Sequence, residues 1–591
     1  MHKFVKMMGA NLLVAAIAAL PFVASADTYY ASPDGSGTGT EDSPYSLADG
    51  IDKVKNCAHT LVLKRGRYLL NGAIAFNGTS SGNNPTIVCG ETGDPKDVVL
   101  DAQGKSEVMR VGMNVLVAGI TIKNGNNKNS SLATRAAGVR VGYNTNLNTL
   151  SVVSNCVVTC CTNAFTETTT NSIGTVIYGG AVCVYDTGLL VDSYVTNNTA
   201  AYRSGGVVFR NGVVRRCTIS DNYGFLGGGG VFCERNCSGV LADSTISGNI
   251  CNTETNSAGG GVSCYLAESS LVITNCTIAE NKSAYGGGLD LISTSTATCL
   301  DCRFVRNEAI KRGGGMRVYS EARGVFRDCV FEENSTTGTD DCGGGGCCVY
   351  NQSADGFASF SNCVFRNNHS NTHGGGFSGG WNRSVCAELV GCVITNNSSV
   401  RQGAGVMIRD NQTASGCSLA LRNCLVAFNY AKLEGGGVYL VATNAVVDSC
   451  TIVSNRVSDS NGAGLYHRWG GAVTNTVIAF NVQGSSMETE LKWCLNEGKS
   501  PDAYRNCCVW PEVPSVFLSE NGCVNADPRF VDAANGDFRL SMGSPCKDAG
   551  ILEGWMAGAF DLAGGKRVFN GVPDIGCYEF FLPPGFMLIF R

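Results

Sequence analysis

Charged residues are scarce in this sequence. They make up 16% of the 591 residues, and 44 basic against 49 acidic side chains leave a net charge of −5 with both signs interspersed. A chain that binds nucleic acid or an anionic membrane surface usually concentrates lysine and arginine in a patch. The composition therefore argues against both classes of partner.

Two further features are missing. After residue 26 no stretch approaches the ~20 consecutive apolar residues that span a bilayer, so no transmembrane helix is expected in the rest of the chain. Although the sequence has 30 cysteines, no C-x-x-C pair is matched by a second pair or by histidines at zinc spacing. We therefore expect no structural metal, and the favoured interpretation needs no cofactor.

The first 26 residues have the pattern of a secretory signal peptide. Basic residues precede an apolar stretch over residues 7–23, and residues 24–26 (ASA) offer a small-residue cleavage site. Asn11 and Pro21 interrupt the apolar stretch, which disfavours the alternative of a membrane anchor. The pattern predicts a secreted or cell-surface protein whose mature chain begins at Asp27.

Glycine is abundant, with 76 residues, and its placement is periodic. In the recurring unit, two or three glycines precede an aliphatic residue, and C-x-[I/F/V]-x-x-N closes the unit. One copy opens at residues 259–262 (GGGV) and closes at residues 276–281 (CTIAEN). Side chains within the unit alternate with a period of two, which is typical of β-strands. Such short strands are stable only when stacked on their copies, so the pattern predicts an all-β solenoid.

Asparagines close the successive units. The steps between them vary from 24 residues (198 to 222) to 34 residues (334 to 368), a drift that a solenoid absorbs in its turns. We expect each amide to bond to its copies in the adjacent coils, and the asparagine backbone to adopt left-handed angles. The predicted ladder consists of Asn198, Asn222, Asn249, Asn281, Asn307, Asn334, Asn368, Asn397, Asn429, Asn455 and Asn481.

A column of small residues precedes the asparagines. Ser193, Ser244 and Thr476 replace cysteine in three coils, which indicates a small interior side chain rather than a covalent bond, so we expect mostly reduced thiols. The predicted column consists of Cys217, Cys276, Cys302, Cys329, Cys363, Cys392, Cys424 and Cys450. For five cysteines a disulfide is the alternative: Cys233 with Cys237, and a pair among Cys507, Cys508 and Cys523.

The segment before the ladder predicts a capped start of the solenoid. A short helix over residues 47–56 would bury Ile51 and Val54 against the open end of the barrel, and a strand over residues 60–63 follows. Together with residues 29–35 (YYASPDG), this segment resembles the opening of secreted pectin-lyase-like β-helix proteins. That superfamily contains polysaccharide lyases and glycoside hydrolases, and the resemblance implies a right-handed parallel β-helix.

The ladder resembles the repeat of the polymorphic outer membrane proteins first described in chlamydiae, which has a GGA[I/V/L] element and an FxxN element. Residues 179–182 (GGAV) match the first element, and residues 304–307, 331–334 and 365–368 match the second. The resemblance implies surface display in the outer membrane or cell envelope of a bacterium. The 110 residues after Asn481 are too few for the translocator barrel of those proteins, so the export route stays open.

The C-terminal segment has its own signature. Residues 525–530 (NADPRF), 543–550 (GSPCKDAG) and 574–579 (DIGCYE) resemble the choice-of-anchor Q module found after bacterial β-helix domains. The resemblance implies anchoring, and a hydrophobic cap that closes the end of the barrel is the alternative. The predicted domains are a signal peptide (1–26), an N-terminal cap with the first coils (27–135), the repetitive β-helix (136–483) and the C-terminal module (484–591).

Candidate site residues come from strands and turns, and each has a structural alternative. Asp290 and Arg317 follow the glycine triplets of adjacent coils, where a carboxylate beside an arginine suits a lyase or hydrolase; a surface ion pair is the alternative. Asp340 and Asp341 lie in a long insertion whose carboxylates suit a cation, although acidic turns are common. The outward positions after successive triplets are Asp290, Arg317, Cys348, Ser378, Met407, Tyr439 and Tyr466.

A third candidate lies near the end of the ladder. His467, Arg468 and Trp469 combine an aromatic face with polar groups, a combination that suits a sugar ring. A tryptophan that caps the core is the alternative.

Two functions stay open. Regular coils without an outward acidic cluster favour a monomeric adhesin-like or glycan-binding protein without catalytic activity, whose partners are extracellular polysaccharides or cell-surface glycans. The alternative is a polysaccharide lyase or glycoside hydrolase of the pectate-lyase type, and a lyase of this type would use Ca²⁺ to acidify the α-proton of an acidic sugar. The fold alone does not decide between them.

Overall fold

Parallel strands stack into a long β-solenoid, as predicted. The computed structural model describes residues 27–78, 84–127, 136–142, 149–164, 179–254, 256–265, 268–350, 356–380, 386–409, 419–458, 462–484, 494–495, 503–511 and 521–581. The predicted signal peptide lies outside these residues. Among them no helix is long and apolar enough to cross a membrane.

Each complete coil contributes one strand to each of four parallel sheets, which the chain visits in the order sheet 1, sheet 2, sheet 3 and sheet 4. Sheet 1 has 17 strands: Thr28–Ala31, Thr60–Leu63, Thr86–Gly90, Val115–Ala118, Ser151–Ser154, Gly188–Val191, Val213–Arg215, Ser238–Ala242, Ser270–Thr274, Thr296–Leu300, Arg323–Arg327, Phe357–Ser361, Ala387–Val390, Leu419–Arg422, Val446–Asp448, Ala472–Thr474 and Tyr504–Arg505. Sheet 2 has 16 strands: Gly66–Leu69, Val98–Asp101, Thr121–Lys123, Val157–Thr159, Tyr194–Thr196, Thr218–Ser220, Thr245–Ser247, Thr277–Ala279, Arg303–Val305, Val330–Glu332, Val364–Arg366, Val393–Thr395, Leu425–Ala427, Thr451–Val453, Val477–Ala479 and Cys508–Trp510.

The other two sheets complete the coil. Sheet 3 has 13 short strands: Asn126–Asn127, Thr162–Asn163, Thr199–Ala200, Tyr223–Gly224, Ile250–Cys251, Lys282–Tyr285, Glu308–Arg312, Ser335–Thr336, His369–Ser370, Ser398–Ser399, Tyr430–Ala431, Arg456–Val457 and Val482–Gln483. Sheet 4 has 15 strands: Ile74–Phe76, Met109–Val111, Ala136–Val141, Gly180–Val184, Val207–Phe209, Val231–Cys233, Val262–Cys264, Leu289–Ile292, Met316–Tyr319, Cys347–Tyr350, Phe377–Gly380, Val406–Arg409, Val438–Ala442, Leu465–Trp469 and Cys494–Leu495.

Few elements lie outside these sheets. Helix α1, Leu47–Val54, caps the first coil: the Ser46 hydroxyl accepts a hydrogen bond from the Asp49 amide, and Val54 is buried. It ends two residues before the predicted end because Lys55 is extended and Asn56 is left-handed, with φ 58°. Within the described ranges, the remaining elements are the 3₁₀ turns Pro95–Asp97, Ala533–Asn535 and Gly554–Met556, and the antiparallel strands Phe530–Asp532 and Asp537–Leu540.

The predicted asparagine ladder is confirmed. The amide of each ladder asparagine donates to the side-chain oxygen of the next, from Asn198 through to Asn481. Asn307 is typical, because its Nδ2 donates to Asn334 Oδ1 at 3.0 Å and to the carbonyl of Ile278 at 2.8 Å. The prediction that the asparagines themselves are left-handed is wrong by one residue. The residue before the asparagine, such as Arg306 (φ 51°), makes the turn.

The glycine triplets complement this ladder. Gly313, the first of its triplet, is left-handed (φ 69°) and turns the chain from sheet 3 into sheet 4. A Cβ on Gly315, the third, would lie 2.5 Å from the carbonyl oxygen of Gly346 and 3.0 Å from the amide of Asn334. Only glycine lets the ladder amide approach the backbone this closely, which explains why the two motifs occur together.

The cysteine column lies inside the barrel as a row of small buried side chains, as predicted. All eight cysteines are free thiols, and burial raises the pKa of Cys217 to about 12. Cys329 Sγ donates to the carbonyl of Arg327 at 3.3 Å, and Ser244 Oγ makes the equivalent bond to Ala242 at 2.6 Å. A serine therefore replaces a cysteine without loss of the hydrogen bond. Five cysteines for which a disulfide was an alternative are likewise not disulfide-bonded: Cys233, Cys237, Cys507, Cys508 and Cys523. Cys386, in contrast, forms a disulfide.

The C-terminal module packs on the side of the solenoid. A last coil with Cys508–Trp510 follows the ladder. Val524 then pairs with Cys508, and Cys523 packs against the barrel core, so residues 521–524 stack on this coil. The later residues of the module lie against the outer face of sheet 2. Phe538 packs with Leu425 in one apolar cluster, and the amide of Cys577 donates to Thr451 Oγ1 at 3.1 Å. The described part of the module therefore covers the outer face of sheet 2, and residues 521–524 add to the end of the stack above the last coil.

The terminal DIGCYE motif serves the interior of this module. Glu579 forms an ion pair with Arg567, and both side chains are almost fully buried. Arg567 also donates to the carbonyl of Asp574, whose carboxylate accepts from the amides of Asp548 and Phe580. The motif therefore stabilises the module by satisfying its buried polar groups.

Candidate functional site

Asp290 and Arg317 are paired as predicted, but they are not on the surface. They lie directly opposite each other on adjacent strands of sheet 4, and Arg317 Nε and Nη2 donate to the Asp290 carboxylate at 2.7 and 2.9 Å. Asp290 is 0% exposed and Arg317 is 5% exposed. The ring of Tyr285 covers the guanidinium at 4.0 Å. A polymeric substrate has no access to this pair, so the expectation of a surface pair is wrong.

The burial has a general cause. The connections from sheet 3 into sheet 4 fold over the outer face of sheet 4. The left-handed glycine at the start of a triplet packs on the outward side chain of the sheet 4 strand that follows it. A Cβ on Gly286, for example, would lie 2.7 Å from the Cβ of Asp290. The outward row is in register as predicted, and its first members are fully or nearly fully buried: Asp290, Arg317, Cys348, Ser378 and Met407.

Asp340 and Asp341 are engaged in ion pairs. Asp340 Oδ1 accepts from Arg312 Nε at 2.6 Å, and Asp341 Oδ1 accepts from Arg401 Nη1 at 3.3 Å. This insertion contacts the corresponding connection of the next coil, where Thr372 Oγ1 donates to the carbonyl of Asp340 at 2.8 Å. Among the described residues no group of three or more His, Cys, Asp or Glu side chains is arranged to hold a metal ion.

His467 points into the barrel. Its side chain is 0% exposed, with Nε2 2.5 Å from the carbonyl of Gly470 and Nδ1 2.6 Å from the Tyr504 hydroxyl. Because a carbonyl can only accept, Nε2 carries the proton and Nδ1 accepts from the tyrosine. Arg468 is exposed on the opposite side of the strand, and the side chain of Trp469 lies outside the described structure. The histidine and the arginine therefore do not converge on one ligand.

A groove on the outer face of sheet 2, in the first coils, is the strongest candidate site. Most connections from sheet 1 to sheet 2 are two residues long, but the one between Thr86–Gly90 and Val98–Asp101 spans residues 91–97. This longer connection leans over the following coils. Thr121 Oγ1 donates to the carbonyl of Pro95 at 2.7 Å, and Asn155 Nδ2 donates to the carbonyl of Gly93 at 2.7 Å. It forms one wall of the groove.

The floor of the groove consists of outward side chains from successive sheet 2 strands. Thr121, Val157 and Tyr194 are in register along one row, and Lys123 and Thr159 are in register along the next. The groove, which we call the basic groove, has a volume of about 590 Å³. It is lined by Arg67, Asp94, Pro95, Lys96, Val99, Thr121, Lys123, Asn155, Val157, Thr159 and Tyr194.

Positive charge predominates in the basic groove. Its lining contains three cations and one carboxylate. Lys96 pairs with that carboxylate, Asp94, at 2.6 Å, and this hydrogen bond lowers the pKa of Asp94. Arg67 donates to Asp101 beside the groove. Lys123 makes no ion pair with a described residue, so its charge is available to a ligand.

Asp101 lies opposite Lys123 on the adjacent strand, but its carboxylate is engaged by other donors. Burial raises the pKa of its carboxyl, but hydrogen bonds from the Gln103 amide, Asn124 and Arg67 outweigh burial and lower it. The ionised carboxylate is thus occupied by these donors. It orients Arg67, which remains 60% exposed at the edge of the groove.

Tyr194 adds an aromatic surface at the far end of the groove. Its ring is 55% exposed, although it is a large apolar group on a flat sheet. An exposed aromatic face beside cations and hydroxyl groups can bind a sugar ring that carries a carboxylate. The arrangement offers binding groups; it does not bring together the paired carboxylates of a hydrolase.

The sequence pattern contained signals for this groove. The alternation in Thr121–Lys123 and Val157–Thr159 places lysine and threonine outward, and the seven residues of 91–97 exceed the usual short turn. These coils lack the glycine triplets and ladder asparagines, so the repeat that marks the later coils does not identify them. The long connection is the one feature that could have indicated a wall.

A second groove of about 600 Å³ lies on the C-terminal module. Its lining is largely apolar, with Leu552, Met556 and Phe560 beside Glu553 and Lys566. It offers a sugar fewer polar partners than the basic groove.

Comparison with known proteins identifies the fold. Residues 243–355 match the family model described as right handed beta helix region. The protein is a right-handed parallel β-helix. No curated protein matches the sequence.

Several solved structures resemble this β-helix at low identity. Pectate lyase Pel9A is 13% identical over 94% of this chain and 97% of that chain, with a TM-score of 0.26. The PL6 family alginate lyase AlyGC is 12% identical over 81% and 77% of the two chains, with a TM-score of 0.31. A mannuronic acid specific polysaccharide family 6 lyase from human gut microbiota is 10% identical over 82% and 92%, with a TM-score of 0.29.

Proposed function

We propose that this β-helix is a secreted or cell-surface protein that binds acidic polysaccharide in the basic groove. The observation that carries the proposal is Lys123, a cation without a described ion-pair partner on the groove floor, between the wall formed by residues 91–97 and the exposed ring of Tyr194. A uronate carboxylate is the ligand group that matches an available ammonium at this position.

The remaining groups of the groove suit the rest of such a sugar. The Tyr194 ring presents a face on which a pyranose can stack, and the Thr159 hydroxyl can donate or accept a hydrogen bond. Arg67 and Lys96 lie at the edges, where they attract further carboxylates of the same polymer. Since these edge cations already have carboxylate partners, we expect Lys123 to contribute most to affinity.

Binding of polygalacturonate and alginate to the mature chain tests the proposal. We expect Lys123→Ala to weaken the binding of either polymer about fivefold to tenfold, which corresponds to about 1–1.4 kcal/mol, and Tyr194→Ala to weaken it by a similar factor. Matched controls are Lys432→Ala and Tyr430→Ala, which remove an exposed lysine and an exposed tyrosine far along the rod. Isothermal titration calorimetry gives the affinities.

Salt and a neutral polymer complete the experiment. Affinity for the uronates should fall as salt rises, because the groove charges are exposed and screened. Dextran, which has no carboxylates, should bind more weakly. The proposal fails if dextran binds as well as alginate, or if Lys123→Ala binds both uronates as the wild type does.

The same incubations address the alternative of a lyase. If the protein cleaved these polymers, an unsaturated product would accumulate in the presence of Ca²⁺. Asp290 and Arg317 are buried, which removes the sequence-based argument for cleavage at that pair. We expect binding without product formation.

A further inference from the structure

Two buried cysteines form a pair on the outer side of sheet 4, away from the basic groove. The sulfur atoms of Cys342 and Cys348 are 3.3 Å apart, and both side chains are 0% exposed. This distance exceeds a disulfide bond, which measures about 2.05 Å, by little more than 1 Å. A small rotation of either side chain would therefore bring the two sulfur atoms to bonding distance.

An insertion brings the two cysteines together. Ten residues, 337–346, connect Thr336 to Cys347, whereas six residues, 310–315, connect their register partners Ala309 and Met316 one coil earlier. The longer chain folds back at Gly344, which is left-handed (φ 79°) and whose Cβ would lie 2.8 Å from the Cβ of Cys348. A short loop that returns over its own strand therefore places Cys342 above Cys348.

The surroundings make the two thiols unequal. The hydrogen bond with Cys348 lowers the pKa of Cys342, and the nearby Arg312 guanidinium acts in the same direction against the effect of burial. Arg312 is held in place by its ion pair with Asp340 and by the Tyr350 ring at 4.3 Å. Cys342 is thus the sulfur that ionises first and attacks a disulfide.

We propose that Cys342 and Cys348 are an oxidisable dithiol that closes to a disulfide when the protein meets a small disulfide such as oxidised glutathione. The Cys342 thiolate attacks one sulfur of the reagent and releases one glutathione thiolate. The Cys348 thiolate then attacks Cys342 Sγ and releases the second glutathione. The protein loses two protons and two electrons, and the reagent is reduced to two thiols.

Access to the pair requires the insertion to open. Asp341, next to Cys342, is 52% exposed in its side chain, so the insertion borders solvent. Cys342 Sγ lies 3.7 Å from Ser378 Oγ and 3.5 Å from the carbonyl of Gly380, so the insertion must lift from this strand for a reagent to reach the sulfurs. The thiols of the cysteine column, by contrast, lie inside the barrel beneath the sheets. Cys342 and Cys348 should therefore react before the cysteines of the column, and the new bond should hold the insertion against sheet 4.

Alkylation mapped by mass spectrometry tests this proposal. The folded mature chain is incubated with oxidised glutathione, then unfolded and alkylated. We expect labelling at Cys342 and Cys348 to fall at least tenfold, with Cys302 and Cys329 unchanged, and a peptide containing residues 342–348 to lose two hydrogens. Cys347→Ala is the matched control, because its side chain is directed into the barrel and the bond should still form.

Fragmentation of the peptide locates the bond even if a variant fails to fold. The bond should be absent from Cys342→Ser and Cys348→Ser, and hydrogen exchange over residues 337–346 should slow in the oxidised wild type. The proposal is overturned if Cys342 and Cys348 remain as alkylatable as Cys302 and Cys329 of the cysteine column. It is also overturned if the disulfide that forms includes Cys347.

Discussion

At the scale of the residue, one ladder asparagine satisfies several buried groups at once. The side-chain oxygen of Asn334 accepts from the backbone and side-chain amides of Asn307, and its own amide donates to Asn368 and to the carbonyl of Phe304. Asn334→Ala would leave these groups without partners inside the barrel. We expect the free energy of local unfolding to fall by about 2 kcal/mol or more, which hydrogen exchange would record as roughly 30-fold faster exchange in the adjoining coils.

The control for this substitution is Asn256→Ala. Asn256 is exposed and accepts a hydrogen bond from Lys311 at 2.8 Å on the surface, so its loss should change stability by less than about 0.5 kcal/mol. Equal exchange rates in the two variants would show that the ladder amides do not stabilise the coils.

Single residues also show how far the sequence pattern predicts structure. The ladder and the cysteine column were predictable because each position repeats, and a repeated side chain must meet its copies. The position of His467 inside the barrel was not predictable, because this histidine occurs once and its partner Tyr504 is 37 residues away in the next coil. The left-handed position before each asparagine is occupied by Arg306 in one coil and Glu333 in the next, so no residue type marks it.

At the scale of the element, the connection that precedes Phe377–Gly380 buries a histidine. His373 is 1% exposed, and the amide of Gln402 is directed at its Nδ1 at 3.4 Å, so this nitrogen is unprotonated. Burial, with the nearby Arg401 and Arg409, lowers the pKa of His373 from 6.5 to about 3. The folded protein therefore holds this side chain neutral at pH values where the unfolded chain is protonated.

This difference predicts acid sensitivity. Below about pH 6.5 the unfolded state binds the extra proton, so stability falls as pH falls through this range and continues to fall towards pH 3. Between about pH 7.5 and pH 5 the loss from His373 should be about 2 kcal/mol. His373→Gln should reduce the difference in free energy of unfolding between these two pH values by that amount, and Asn256→Ala should leave it unchanged. An unaltered pH dependence in His373→Gln would contradict the prediction.

Connections were also what the pattern predicted least well. Alternation correctly placed Asp290 and Arg317 outward on sheet 4, but whether an outward side chain reaches solvent depends on the path of the neighbouring connection. On sheet 4 that connection folds over the face, while on the first coils of sheet 2 residues 91–97 stand beside it. A strand pattern carries no information about this path, so the buried ion pair and the open groove were both unforeseen.

At the scale of the whole molecule, the two ends of sheet 2 have different surroundings. The basic groove lies open on the first coils, whereas the C-terminal module covers the outer side chains of the last coils, including Leu425 and Val477. Hydrogen bonds between Asn475 and Ile551 join the module to the turn that enters sheet 2. A glycan on the outer face of sheet 2 can therefore contact only the part of the rod that the module leaves uncovered.

The docking of this module should depend on its buried aromatic side chain. Phe538 is 2% exposed and lies 5.4 Å from the Phe530 ring and 5.6 Å from the Phe428 ring of the solenoid, measured between centroids. Phe538→Ala leaves a cavity between module and sheet, at a cost of about 3–5 kcal/mol. We expect limited proteolysis to release a fragment containing residues 521–581 much faster than from the wild type.

Phe560→Ala is the matched control within the same module. Phe560 is 64% exposed, so its removal should change protease sensitivity little. In Phe538→Ala the uncovered face of sheet 2 would expose Leu425 and its neighbours, an apolar surface that favours self-association. Light scattering after module release should therefore rise in Phe538→Ala alone. If both variants resist the protease equally, the module is held by its polar contacts with Asn475 and Thr451 rather than by the shared apolar cluster.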